Sequence, residues 1–213
     1  MSARPALVVG AALLALGAGL LGDPAAAHAG AARDRLDRAL KGLRDARAPF
    51  TQTRSSSILG APLKPATGTL EYRVPRLLRI EFGGAVPTNV LVRGDTAWIE
   101  QPKAGQVIRT SARASGAPPL PFLEESVAVI ERAYVVRETG ASTLVLEPRA
   151  AGGAVRAIEL TLEAKSGLPR RVVVRQRDDE SITFEFTRWT VNGGIATARF
   201  APVFAPGAKL VEL

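Results

Sequence analysis

Between positions 68 and 102 apolar and polar residues alternate almost one by one. Leu70, Tyr72 and Val74 interleave with Thr69, Glu71 and Arg73, and after Pro75 the residues Leu78, Ile80 and Phe82 interleave with Leu77, Arg79 and Glu81. A period of two is what a strand with one wet and one buried face imposes. Two further runs, 89–93 and 96–101, flank Gly94 and Asp95, a pair suited to the tight turn of an antiparallel hairpin. Four consecutive strands in a twisted meander are predicted here.

The same period governs most of the remaining chain. A strand is predicted over 50–54, another over 106–110 after the turn at 102–105, and five more over 134–138, 143–147, 155–163, 171–176 and 181–190. Ile158, Leu160 and Leu162 alternate with polar residues, as do Ile182, Phe184 and Phe186, and the one-sided sheet is expected to continue to Phe204. Two stretches change to helical spacing. Leu36, Leu40 and Leu43 stand at i, i+4 and i+7, predicting an amphipathic helix over 31–46. Leu123, Val127 and Ile130 repeat the spacing in a shorter helix that Pro121 begins, with Glu124 and Glu125 in its first turn. Proline-bearing loops fill 60–68 and 111–121.

These elements predict an α+β fold that is mainly β, a single antiparallel sheet of ten or more strands. A sheet of that width curls. Two short helices over its concave apolar face would cap a hydrophobic cavity, although a closed barrel or sandwich with a solid core has the same periodicity. The aromatic content of 5% favours the cavity, because aliphatic side chains fill less space than rings.

The first residues are read as an address. Arg4 precedes an apolar run over 6–21 and the small residues Ala25, Ala26 and Ala27, the pattern of a secretory signal peptide over 1–27. That run is interrupted by Gly10, Gly17 and Gly19 and is short for a membrane span. Residues 28–213 then form one domain, expected to be soluble in the periplasm. There is no cysteine, which excludes a lipid-modified cysteine, a disulfide and a thiol nucleophile. The net charge is +8, carried by 23 arginines and five lysines without a basic run. That spread reads as composition rather than a site, and an exported chain has no expected nucleic-acid partner.

Candidate chemistry is sparse. The single histidine, His28, falls at the predicted cleavage point, so a histidine triad, general base or zinc site has no residue to build on. Asp178, Asp179 and Glu180 cluster at a hairpin tip without the ligand spacing of a calcium loop. No catalytic residue, metal or cofactor is expected, and the chain reads as a binding protein rather than an enzyme.

Several segments in order resemble one family. Phe50-Thr51-Gln52 after an amphipathic helix, Gly68-Thr69-Leu70-Glu71-Tyr72, the strand after Pro75, the run from Gly94 through Trp98 to Pro102, and a closing Phe204-Ala205-Pro206-Gly207-Ala208 are similar to the LolA family of periplasmic outer-membrane lipoprotein carriers. The resemblance implies an unclosed half-barrel of about eleven strands, capped by helices, whose cavity holds lipoprotein acyl chains. It implies a monomer that takes cargo from an inner-membrane ABC transporter and hands it to an outer-membrane receptor. It puts Leu78, Ile80, Phe82 and Trp98 on the cavity face and Val74, Leu123, Val127 and Ile130 at the lid. The family carries an arginine before the proline equivalent to Pro75, where this chain has Val74, so the lid is expected to lack that latch and to open more easily. Two alternatives remain on the same fold: a carrier of free lipid serving a lipid exporter, and a periplasmic sensor or regulator domain.

Overall fold

The computed structural model describes residues 30–56, 64–112 and 120–213, which form two helices and thirteen strands. The predicted signal peptide with His28 lies outside the described residues, as do residues 57–63 and 113–119 at the two proline-bearing loops. Helix α1 is Ala31–Lys41. The strands of the first half are β1 (Asp45–Ser55), β2 (Ala66–Arg73), β3 (Leu77–Phe82), β4 (Thr88–Arg93), β5 (Thr96–Gln101) and β6 (Gln106–Ser111). A 3-10 turn, Pro121–Leu123, and helix α2 (Val127–Ala133) follow. The second half holds β7 (Tyr134–Gly140), β8 (Thr143–Pro148), β9 (Val155–Leu162), β10 (Pro169–Gln176), β11 (Ser181–Phe186), β12 (Thr190–Val191) and β13 (Lys209–Glu212).

All thirteen strands belong to one sheet, in the order β13-β6-β5-β4-β3-β2-β1-β11-β10-β9-β8-β7, with β12 pairing beside β11 on β1. Strands β1 to β11 are the eleven expected antiparallel strands. The outer strands β13 and β7 do not pair with each other, so the sheet stays open. Two departures from the prediction lie at its margins. β13 joins β6 in parallel, and the chain after Phe186 leaves the alternating pattern. It makes a 3-10 turn, Thr197–Phe200, against the outer face of β3 and β4 before returning to the edge.

Helix α1 ends at Lys41, with Gly42 as its C-cap, rather than at position 46. The strand that follows starts at Asp45, five residues before Phe50. Its inward positions are Ala46, Ala48 and Phe50, and all three are buried. Alanine favours helices and is poor in strands, so the alternation was carried by residues whose local preference points the other way. Pro49 sits inside this central strand at the gap between the β11 and β12 pairings, where its missing N–H interrupts no ladder. Helix α2 likewise starts later than predicted: Ser126 is its N-cap, accepting from the Val129 amide, so Glu124 and Glu125 precede the helix instead of forming its first turn.

Both helices and the turn at Pro121–Leu123 pack on the concave face. One buried cluster joins Leu36, Leu40, Phe122, Val127 and Ile130 to Ile80, Leu144, Ile158, Val172 and Phe184 of the strands. The aromatic residues are few but concentrated. Phe50 meets Phe82, Phe184 and Phe186 edge-on, and Phe122 and Trp189 extend the group.

Candidate functional site

Residues directly opposite one another in antiparallel strands project from the same face. The register therefore builds the concave surface row by row. Leu70, Ile80, Val90, Ile99 and Ile108 form one row across β2 to β6. Tyr72, Leu78, Val92 and Ala97 form the next on one side, and Phe50, Gly68 and Phe82 the next on the other. Burial falls along the central row: Leu70 is 1% exposed, Ile80 0% and Val90 6%, while Ile99 and Ile108 are half-buried. Leu78, Phe82 and Val92 are also half-buried and pack against the core from its margin. The surface is thus a continuous apolar face, sealed under the helices at its centre and partly open toward β5 and β6.

Leu78, Ile80 and Phe82 share this face. Trp98 does not. It stands opposite Leu91 and Arg109 on the outer face, where it lines a cleft of about 470 Å³ with Val107, Phe204 and Leu210. A shift of one residue along a strand changes the face of every side chain, and the inward residue of β5 is Ile99. Val90 and Val92 were missed because Val90, Leu91 and Val92 are all apolar, which hides the alternation there, and Ile99 and Ile108 because each has an apolar neighbour, Trp98 and Val107, on the opposite face.

Of the predicted lid residues, Leu123, Val127 and Ile130 are buried, 6%, 1% and 2% exposed, and Val74 is partly buried against the same cluster. Val74 has no side-chain hydrogen bond to offer. The polar ties lie elsewhere. Arg33 of α1 donates from Nε and Nη2 to the two carboxylate oxygens of Glu131 on α2, at 2.9 and 2.8 Å. Asp37 accepts from the Val127 amide at the start of α2, 3.0 Å, and from Lys41 Nζ, 2.6 Å. Glu138 of β7 accepts from the amides of Gly30 and Arg33, both at 2.6 Å, and so caps the first turn of α1 from the sheet. Arg35 reaches Ser142 after β7 at 3.2 Å. The two helices are clamped to each other and pinned at the β7 side.

These contacts set the local titration. The Lys41 ammonium, helped by the Val127 amide, holds Asp37 below its ordinary value, and the Arg33 guanidinium does the same to Glu131. Burial pushes the Tyr72 hydroxyl up to about 12, with the charges of Glu124 and Glu125 adding to the shift. Among the described residues no three acidic or histidine side chains converge as metal ligands, and no helix is long and apolar enough to cross a membrane.

A family model described as outer membrane lipoprotein carrier protein LolA matches residues 41–203. An outer-membrane lipoprotein carrier protein of Leptothrix cholodnii is 26% identical over 206 residues, covering 94% of this chain and 93% of its own. Among solved structures, a DUF1329 family protein from Desulfovibrio piger is similar with a TM-score of 0.49 and 11% identity, over 81% of this chain and 96% of that one. A LolA superfamily protein from Nitrosomonas europaea is similar with a TM-score of 0.47 and 10% identity, over 79% and 97%.

Proposed function

The chain belongs to the LolA family of outer membrane lipoprotein carrier proteins, and from that premise we propose that it carries lipoprotein acyl chains across the periplasm on the inner face of its open sheet. The observation that supports this most directly is the burial gradient along the row from Ile80 to Ile108, where an apolar face runs out from under the helices and becomes accessible. Each methylene removed from water contributes about 0.8 kcal/mol, so an acyl chain leaves a membrane at a useful rate only into a surface that replaces the lipid. A binding face supplies that without any chemical step.

The sealed centre, with Ile80, Leu144 and Ile158 at 0% exposure, has no room for a chain while the helices are down. Loading therefore requires α1 and α2 to lift, exposing Leu123, Val127 and Ile130, or the chain to lie first along Leu78, Phe82, Ile99 and Ile108. In this reading the cargo comes from an inner-membrane ABC transporter and passes to an outer-membrane receptor, and the protein works as a monomer. The test is binding of a fluorescent long-chain acyl probe. The wild-type protein should bind it, and Ile108→Glu should abolish binding while leaving the circular dichroism spectrum intact, because an ionised carboxylate beside a bound chain is costly to desolvate. Unimpaired binding by a folded Ile108→Glu protein would remove the inner face from the proposal.

A further inference from the structure

Strand β1 is apolar on its inner side at Phe50 and then changes character. The register sets Phe50, Gln52 and Arg54 opposite Phe186, Phe184 and Ile182 of β11, so all three project onto the concave face. Phe50 is 2% exposed, Gln52 is half-buried and Arg54 is exposed. The row that Arg54 begins continues across the sheet as Ile182, Val174, Ile158 and Leu146, all of them buried and apolar. A cation therefore ends a row that is otherwise hydrocarbon. On the other side Ala66 of β2 lies opposite Gln52, and Lys64, also exposed, stands two residues before it.

Several arginines on the outer face are neutralised by neighbours. Arg79 pairs with Glu81, Arg171 with Glu185 and Arg175 with Glu159. In the turn beside Arg54, Asp179 is engaged by Arg156 at 3.7 Å. Among the described residues the Arg54 side chain has neither a hydrogen bond nor an ion pair, with Glu180 of the same turn or any other group. An unengaged guanidinium, next to an amide and bordering an apolar wall, is suited to one chemistry. Its planar fork accepts a carboxylate or phosphate in two parallel hydrogen bonds, and the low-polarity wall strengthens the pair.

We propose that Arg54, with Gln52 beside it, is the head-group end of the acyl site, and that the site selects acyl chains that end in an anionic group, a carboxylate or a phosphate. The inference rests on the acyl-binding face proposed above but departs from its cargo: the acylated cysteine of a lipoprotein carries neither group, so the chain assigned to this site is that of a free anionic lipid. The Gln52 amide then donates to the ester or acid oxygens next to the charge, while the chain runs from Phe82 toward Ile99 and Ile108.

The purified protein is titrated at low salt with three fluorescent probes of equal chain length: a fatty acid, its methyl ester and a lysophosphatidic acid. Both anionic probes should bind about tenfold tighter than the ester, the worth of one charge-assisted hydrogen bond at an accessible position. Arg54→Gln should erase that preference without weakening ester binding, and Arg54→Lys should keep part of it. Arg54 is exposed, so neither variant threatens the fold. Favouring phosphate over carboxylate, or the reverse, supports the proposal and identifies the head group. Equal binding of ester and anions by the wild type, or a preference that survives Arg54→Gln, overturns the anion site and leaves the acyl carrier standing. Binding of none of the three overturns the carrier reading and this one with it.

Discussion

Gly68 lies in the row between Phe50 and Phe82, whose rings meet edge-on with centroids 5.3 Å apart. A Cβ at this position would collide with the Glu81 carbonyl and with the ring of Phe50. The glycine is what lets the aromatic ring lie flat over the strand, and the ring restores the burial that the missing side chain forfeits. Gly68→Ala should therefore cost about 1–3 kcal/mol, the usual penalty for overpacking. Urea unfolding measures it. A change below 0.5 kcal/mol, about what a neutral surface substitution gives, would mean that the ring moves aside freely. Whether a residue's face was legible in the sequence depended on such local detail. Leu78, Ile80 and Phe82 were readable because polar residues separate them, apart from the first step after Pro75. Trp98 was misread because the strand it occupies offers Ala97 and Ile99 to the core, and the largest side chain of the segment is turned outward toward Phe204. Nor did the sequence single out Arg54, since an exposed arginine in a chain with 23 of them carries no signal until the register assigns it a face.

The two helices hold their place through carboxylates. Asp37 and Glu131 both lie below their ordinary values of 3.8 and 4.5 in the folded chain. The unfolded chain consequently takes up protons first as the pH falls. Their contribution is complete above those ordinary values and is lost as the pH drops through the lower, folded ones. Because the groups are near the surface, the effect concerns the pairing of α1 with α2 more than global stability. Protection of the α2 amides, taken relative to their intrinsic exchange rates, should fall below pH 4, roughly where carboxylates protonate, before that of β9 and β10 does. Glu131→Gln should show the lowered protection at neutral pH. Equal protection of α2 in the two proteins at neutral pH would show that apolar packing alone keeps the helices down. The positions of these helices were legible from their leucine and valine spacing, while their boundaries were not. Gly42 cuts α1 short, and the inward alanines of β1 look helical. Ser126 caps α2 three residues beyond the end of the turn that Pro121 starts. The parallel return of β13 was invisible in the pattern, because four residues at an edge bury too little to impose alternation.

The sheet is two meanders joined at one seam. β1 to β6 pair in sequence order, β7 to β11 pair in sequence order, and only β1 against β11 connects them. The half-barrel was legible because each meander repeats a local rule, but the seam joins residues about 130 positions apart, and no local pattern records it. A covalent link there closes a loop of about 130 residues. Thr53 and Thr183 face each other across the seam, and the protein contains no cysteine to interfere. Thr53→Cys with Thr183→Cys, oxidised, should raise stability by up to about 5 kcal/mol, as closing so long a loop predicts. Denaturant melting with and without reductant gives the difference, and an oxidised protein no more stable than the reduced one would mean that the unfolded chain already holds its two halves together.

The seam also fixes an order of events in time. A newly made chain presents its first strand with Phe50 uncovered on one side, and the partner for that side is the eleventh strand. The intervening stretch of about 130 residues has to cross the membrane before that partner is available. Until then the two meanders are separate half-sheets, each with an unpaired apolar edge of the kind that recruits strands from other molecules. The protein's vulnerability to aggregation is therefore set by how long its own chain takes to arrive, and it ends when β11 docks.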